Sequence, residues 1–475
     1  MSLDTKGVKG VSRLTPEMAE TCTEHGRVPE IQALPSRGLN DEALDIRACG
    51  LEPHQRVHIK AHVYTESGKY RFESTAEYRA DANGEIKVSE DPSIGGSYTG
   101  VEPMGLVWSL EPAPEIAHKY PRLIKRDIKR PFVYTFELVD ERKTMLSSTS
   151  VERTYLADYV ERQLISHGVA EGCLYMPKKK GSSDPLPVIL DVRGGVPFLV
   201  EDRPSLMASH GFATISINYF LKLMDKKIVM NTSKYFDLQI FLDIFDFIAK
   251  HPRLDINRVA VASSCLGGVL SLSAAAWLDV PIKCLTATGC VDLLAYEVGL
   301  KLQDGKLIEP YDSRAHYEVV EKDGTYVWQL ESFDAFDNLE GDFIIPVERI
   351  KCPMLFFTVG DDQYIPSHKR MMKMKERIEE AGNGHLLEVV HLEGAGHFID
   401  APYLPVCRQA NMDPNLPYPV NGVFGGEPQK HAYGISTAWR KTINYFRDQL
   451  NVTEVYRPDW LDDHSKSRPT LTSRL

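Results

Sequence analysis

The hydrophobic rhythm of the chain changes across "YMPKKKGSSDPLP", residues 175–187, and that change constrains the fold more than any other feature. Before it, apolar residues recur at every second position. In "RVHIKAHVY", Val57, Ile59, Ala61 and Val63 alternate with polar residues, the period of a half-buried strand. "YRFESTAEYRA" and "GEIKVSE" continue the pattern around the turn "DANGE", and "FVYTFELVD" and "TMLSSTSVERTYL" add two short strands. Short strands joined by turns predict a β-sandwich over residues 51–160. The same alternation fits any half-buried antiparallel sheet, which leaves the topology open. Residues 1–50 are polar and weakly periodic and read as an arm or covering segment.

After residue 160 a catalytic domain is expected to run to 465, with strands now alternating with helices. "PVILDV" is a short apolar run, followed by the helical "DRPSLMASHG" and then "FATISINY". In "SKYFDLQIFLDIFDFIAKHP", Tyr235, Leu238, Phe241, Leu242, Phe245 and Ile248 share one helical face, with Pro252 beyond its end. "RVAVAS", "IKCLTATG", "CPMLFFTVG" and "LLEVVHL" are further strands, and helices are expected at "LGGVLSLSAAAW", "SHKRMMKMKERIEEAG" and "AWRKTINYFRDQL". Continuous apolar strands between helices predict a mainly parallel sheet with helices on both faces. Residues 301–345, rich in acidic and aromatic side chains, interrupt the alternation and read as an insertion near the site.

Composition narrows the function. A chain of 475 residues implies two or three domains, and a net charge of -11 argues against a dedicated nucleic-acid binder. No apolar run is long enough to span a membrane, and the opening "MSLDTKGVKGVSRL" lacks the apolar core of a secretory signal. Eight cysteines without a close CxxC pair predict neither a disulfide framework nor a zinc site, so no metal or prosthetic group is expected. Reducing conditions inside a cell are the simpler assumption, and they leave a thiol free for chemistry.

One thiol sits in a telling place. In "RVAVASSCLGGVLSLSAAA", a strand runs into Ser263-Ser264-Cys265-Leu266-Gly267-Gly268 and then into a helix. This is the frame G-x-S-x-G of a nucleophile elbow, with serine for the first glycine and cysteine for the nucleophile. A cysteine at a helix N-terminus has its thiolate favoured by the amide dipoles, although cysteines are also often buried and inert. A nucleophile of this kind needs a histidine and a carboxylate following it in the chain, acid before histidine. "LFFTVGDDQYIPSHK" places Asp361 and Asp362 just after a strand, where paired acids also make ordinary solvated turns. "LLEVVHLEGAGHFIDAPY" places His397 in a loop of small residues after the last strand; His391, inside that strand, reads as structural, and Asp400 as a group supporting the histidine. The oxyanion donors would be the N–H of Leu266 and an amide from Gly194-Gly195 in "DVRGGVP", a segment that is otherwise a plain glycine turn.

With these residues assembled, the chain resembles the acyl-CoA thioesterase and bile acid-CoA:amino acid N-acyltransferase family from about residue 50 onward. "SIGGSYTGVEPMGLVWSL", "KRDIKRPFVYTFELVD", "VASSCLGG", "VGDDQ" and "EGAGHFIDAPYLPVC" carry the resemblance. It implies an N-terminal β-sandwich followed by an α/β-hydrolase domain. Carried over by motif, the family nucleophile falls on Cys265, its histidine on His397 and its acid on Asp362, with Asp361 as rival. Thioesterases of the family usually carry serine at the nucleophile and amino acid conjugators cysteine, so Cys265 leans toward transfer.

The resemblance implies acyl-CoA as substrate. Hydrolysis to free acid is the first expectation, and conjugation to glycine or taurine stands almost level with it. CoA phosphates would need cations, for which Lys222, Lys226 and Lys227 in "KLMDKK" are candidates, though such clusters are commonly solvated surface. Ser473-Arg474-Leu475, in the tail 466–475, keeps the character of an S-K-L address and points to a peroxisomal import receptor, with the cytoplasm as alternative. A non-catalytic binding protein with an inert Cys265 is the reading from a different class.

Overall fold

The computed structural model describes residues 28–178, 184–195, 198–219, 235–294, 299–312, 317–322, 325–330, 336–411 and 420–452. The alternating segments of the first third form two sheets. Arg56–Tyr64 lies between Phe132–Asp140 and Arg71–Arg79, antiparallel to both, and Met145–Thr154 and Arg37–Leu39 extend this seven-stranded sheet. A three-stranded sheet of Glu30–Leu34, Asp45–Cys49 and Ile86–Lys87 accompanies it. Val57, Ile59, Ala61 and Val63 are buried, so the two-residue period aims one face inward and leaves the polar partners outside.

Strand structure begins earlier than the sequence pattern indicates. Within the expected arm of residues 1–50, Glu30–Leu34, Arg37–Leu39 and Asp45–Cys49 are strands with Ile31, Ala33, Ile46 and Ala48 buried. At three to five residues each, they are too short to show a convincing period.

An eight-stranded sheet follows. Its order is Val160–His167, Ala170–Pro177, Ala213–Ile217, Leu186–Val192, Leu254–Ser264, Ile282–Thr288, Met354–Val359 and Leu387–Leu392. The first two strands are antiparallel additions, and the remaining six run parallel. The expected fold is present: a β-sandwich, then an α/β-hydrolase domain with helices on both faces of its sheet.

Adjacent residues of the central strand serve opposite faces. Val259 and Val261 join the cluster that holds Phe241, Ile244, Leu270 and Met371 from the helices Gln239–Lys250, Leu266–Trp277 and Ser367–Glu380. Ala260 and Ala262 join Leu206, Met207, Trp439 and Phe446 from the helices Asp202–Ser209 and Pro428–Gln449. That second cluster continues without a break into Val57, Ile59 and Phe136 of the sandwich. Burying one Phe or Leu of this kind contributes about 1.5–3 kcal/mol.

Two elements depart from expectation. Tyr235 is not part of the helix, because Tyr235–Asp237 pairs as a strand with Gly299–Lys301 and the helix starts at Gln239. The last helix begins at Pro428, ten residues ahead of the apolar stretch that signals it. In the interrupting segment, Tyr317–Lys322 and Thr325–Leu330 form a hairpin that joins Val420–Val423 and Gln409–Asn411 in a four-stranded sheet. Lys222, Lys226, Lys227 and Ser473-Arg474-Leu475 lie outside the described residues.

Candidate active site

The central strand Leu254–Ser264 ends between its two neighbours, with Ser263 opposite Val192 and Ser264 opposite Thr288. The chain must then turn at once into the helix Leu266–Trp277, and Cys265 makes that turn at φ 53°, ψ -130°. A non-glycine residue at positive φ is strained, and such strain concentrates at functional positions. Hydrogen bonds hold it: the Cys265 N–H donates to the Thr288 carbonyl at 3.1 Å, and its own carbonyl accepts from Gly268 at 2.9 Å.

The small residues around Cys265 are sterically required. A Cβ on Gly267 would lie 2.0 Å from the Val192 carbonyl oxygen, and one on Gly268 would lie 2.5 Å from the Cys290 Cβ. Ser263 is buried where the elbow pattern has glycine, and its hydroxyl donates to the Thr286 carbonyl at 2.8 Å.

Gly194 comes from the end of the adjacent strand. A Cβ there would stand 3.0 Å from the Cys265 Cβ and 3.3 Å from its Sγ, so the turn approaches the thiol as closely as glycine permits. Gly195, next in the same turn, is exposed. Leu266 opens the helix directly after Cys265, and its N–H helps to lower the thiol.

His397 reaches the same point from the loop after Leu387–Leu392. Its backbone N–H donates to the Phe424 carbonyl at 2.8 Å, and Tyr364 and Phe424 pack against its ring at 5.1 and 6.1 Å between centroids. Its Nδ1 lies 2.9 Å from Asp362 Oδ2, and the imidazole is close enough to Cys265 for each to shift the other's pKa. With Nδ1 engaged by the carboxylate, Nε2 is the ring nitrogen left for sulfur.

Geometry separates the two adjacent acids. Asp362 Oδ1 accepts the N–H groups of Tyr364 and Ile365 at 3.0 and 3.1 Å, and Oδ2 accepts from Ser367 Oγ as well as His397. Asp361 turns the other way, accepting from Gln363 Nε2 at 2.9 Å and from the Gly426 N–H at 2.8 Å. His391 stands in its strand, bonded through Nδ1 to Thr358 Oγ1 at 2.9 Å.

The electrostatics favour a charged pair. Burial alone would push the Cys265 thiol up, but His397 beside it and the Leu266 N–H outweigh burial and hold it below the ordinary thiol value. Burial likewise opposes a charge on His397, and Asp362 and the Cys265 sulfur overcome it, pushing the imidazole up to about 10. Cys173, Cys284, Cys290, Cys352 and Cys407 all shift upward, burial being the largest cause. Cys265 differs from these five in the direction of its shift, and a thiol lowered beside a cation is of the kind that can act as a nucleophile.

Several residues around the site escaped the sequence reading. Ser367 fixes the Asp362 carboxylate; in the sequence it is the first residue of a helix five positions on and carries no signal of that role. Asp400, expected to support the histidine, takes Arg122 on one oxygen and Arg193 on the other, and neither arginine was foreseen. Arg193 stands in the quoted turn beside Gly194, whereas nothing in the local sequence marks Arg122. Among the described residues, no group of three His, Cys, Asp or Glu side chains is placed to hold a metal ion.

Residues 41–167 match the family described as the acyl-CoA thioester hydrolase/BAAT N-terminal region, and residues 236–452 match BAAT / acyl-CoA thioester hydrolase C terminal. Acyl-coenzyme A amino acid N-acyltransferase 1 of Mus musculus is 32% identical over 429 residues, covering 88% of this chain and 97% of that protein. Acyl-coenzyme A thioesterase 1 of Rattus norvegicus is 31% identical over 416 residues, covering 86% and 94%. A solved α/β hydrolase from a deep-sea metagenome library shares 11% of residues over 62% of this chain and all of that one, with a TM-score of 0.39.

Proposed function

The chain belongs to the acyl-CoA thioester hydrolase/BAAT family, and from that premise we propose an acyl-CoA hydrolase that works through an acyl-cysteine at Cys265. The observation that supports this reading most is the buried 2.9 Å bond from His397 to Asp362, with Cys265 at the elbow beside the imidazole and its thiol lowered by it. The thiolate attacks the thioester carbonyl carbon, and the oxyanion is received by the Leu266 N–H and an amide of the Gly194-Gly195 turn. Collapse breaks the bond to the CoA sulfur, which leaves with the proton of His397. Water then attacks the acyl-cysteine while His397 takes its proton; the free acid departs and the thiolate–imidazolium pair is restored.

A second reading is favoured by the sulfur itself. An acyl-cysteine is a thioester and stays reactive toward amines, so glycine or taurine can replace water and leave as an amide. The conserved logic of the steps is otherwise the same, because His397 deprotonates either acceptor. Lys222, Lys226 and Lys227 are proposed to meet the CoA phosphates.

The test is product analysis by mass spectrometry with a panel of acyl-CoAs, with and without glycine and taurine. Free acid alone supports the hydrolase, and amide supports the conjugator. An inert Cys265, unmodified by iodoacetamide and unprotected by acyl-CoA, overturns both in favour of a binding protein. Peroxisomal delivery through Ser473-Arg474-Leu475 belongs to the same proposal. It fails if a fluorescent reporter ending in residues 466–475 stays in the cytosol.

A further inference from the structure

Asp400 follows His397 by three residues, and its side chain is only 13% exposed. Each of its oxygens takes one guanidinium, Arg122 on Oδ2 and Arg193 on Oδ1. Arg193 adjoins Gly194, so the carboxylate ties the loop of His397 to the turn that abuts Cys265. Arg122 comes from far outside the hydrolase sheet, in the segment that leads into the sandwich strand Phe132–Asp140.

We propose that Arg122 is a positioning residue for acyl transfer at Cys265, holding the Arg193-Gly194-Gly195 turn in register with His397 through the bridging Asp400 carboxylate. The inference rests on the acyl-cysteine reading and adds to it that the sandwich half sets the geometry of the oxyanion donors.

Both arms of the bridge are anchored. On the histidine side, the Arg122 guanidinium lies 3.7 Å over the Phe398 ring, which packs at 4.0 Å on Phe424, the residue whose carbonyl accepts the His397 N–H. The Phe398 carbonyl in turn accepts from His431 at 2.8 Å. On the other side, the Arg193 carbonyl accepts the Tyr219 hydroxyl and lies 2.5 Å from where a Gly267 Cβ would be, directly against the nucleophile turn.

Neighbouring backbone bonds bring the same two regions together. The Asn411 N–H donates to the Tyr120 carbonyl at 3.0 Å, and the Val406 N–H to the Trp108 carbonyl at 3.1 Å. Two like-charged guanidiniums share one buried carboxylate, an arrangement that contributes little net stability compared with apolar packing. What it supplies is a defined separation between the groups it joins. Displacing a reacting group by an ångström can cost about 100-fold in rate.

The experiment uses the full-length protein and lauroyl-CoA as probe. Single-turnover formation of acyl-cysteine is followed by mass spectrometry, beside the rate of iodoacetamide alkylation at Cys265. Alkylation needs the thiolate but no oxyanion donor, so it separates positioning from collapse of the site. Arg122→Gln should slow acylation about 10- to 100-fold and leave alkylation within about twofold. Arg122→Lys should fall between, since an ammonium keeps the charge without the planar fork.

Acylation within twofold of wild type in Arg122→Gln overturns the inference, as does a parallel fall of acylation and alkylation. If Arg122→Gln does not fold, Arg122→Lys decides: slowed acylation with normal alkylation supports the inference, and wild-type acylation ends it. Absence of acyl-cysteine in the wild type across a panel of acyl-CoAs removes the underlying reading and this inference with it.

Discussion

Asp362 and His397 are joined by a 2.9 Å hydrogen bond in which Asp361, one residue earlier, has no part; its carboxylate faces Gln363 and the Gly426 amide. The side chains of Asp362 and His397 are both 2% exposed, so the bond fixes the imidazole tautomer away from competing water. Asp362→Asn should therefore lower kcat by about 1,000-fold or more, the scale seen when such a carboxylate is made neutral. Asp361→Asn should stay within a few-fold. Steady-state assays of both variants decide the matter, and equal losses would remove the distinction.

Gly194 and Gly267 predict different kinds of damage. At Gly267 a methyl group would meet backbone oxygen at 2.0 Å, so Gly267→Ala should destabilise the fold by about 3 kcal/mol or more and reduce soluble yield. At Gly194 the close contacts are with the Cys265 side chain, at 3.0–3.3 Å, and the Ser264 carbonyl stands at an ordinary 3.9 Å. Gly194→Ala should melt with the wild type yet acylate about 10- to 100-fold more slowly. Thermal melts read beside single-turnover rates separate the two; a destabilised Gly194→Ala would show that the turn is structural.

The raised His397 and lowered Cys265 predict a plateau of thiolate reactivity rather than an ordinary rise toward high pH. Alkylation of Cys265 should remain fast below the ordinary thiol value of 9.0 and fall on acidification as the sulfur takes a proton. Turnover should fall again as His397 loses its proton near 10. For stability the two shifts run in opposite directions. The contribution of His397 is complete below its ordinary value of 6.5 and is lost as pH rises through about 10. That of Cys265 is present above 9.0 and is lost as pH falls through its lowered value. Peptide mapping after iodoacetamide at pH 7 should find Cys265 modified ahead of Cys173, Cys284, Cys290, Cys352 and Cys407; an even distribution would contradict the charged pair.

Cys265→Ser tests the link between sulfur and acceptor choice. It keeps the position of the nucleophile but turns the acyl thioester into an ester, which is less reactive toward amines. Amide formation should fall more than hydrolysis, raising the ratio of free acid to amide. Both reactions share the first step, the oxyanion donors and His397, so a general loss cancels in the ratio. An unchanged ratio would place acceptor selection elsewhere in the pocket.

Legibility in the sequence followed range. Arg56–Tyr64 was readable to its ends because its alternation is strict and one face is fully buried. The turn at Cys265 was readable because its neighbours must be small, for the steric reasons that Gly267 and Gly268 display. Only the second half of Pro428–Gln449 announces itself in the sequence, since its first turns carry Gln429, Lys430 and Gly434 in place of an apolar stripe. The choice between Asp361 and Asp362 needed the loop at Gly426, 64 residues on from Asp362, and was beyond any local pattern. Arg122 and Asp400 are 278 residues apart, and no spacing rule connects them.

One hydrophobic cluster runs from Val57 and Ile59 through Ala260 and Ala262 to Trp439 and Phe446. A chain built this way has no seam along which to come apart. Heat or urea acting on the sandwich also strips one face from the catalytic sheet, so melting should be cooperative, with calorimetric and van't Hoff enthalpies in agreement. A change at Ile59, in the sandwich, then reaches the catalytic sheet through the core they share. Cut from the sandwich, the catalytic half would leave the cover over Ala260 and Ala262 incomplete.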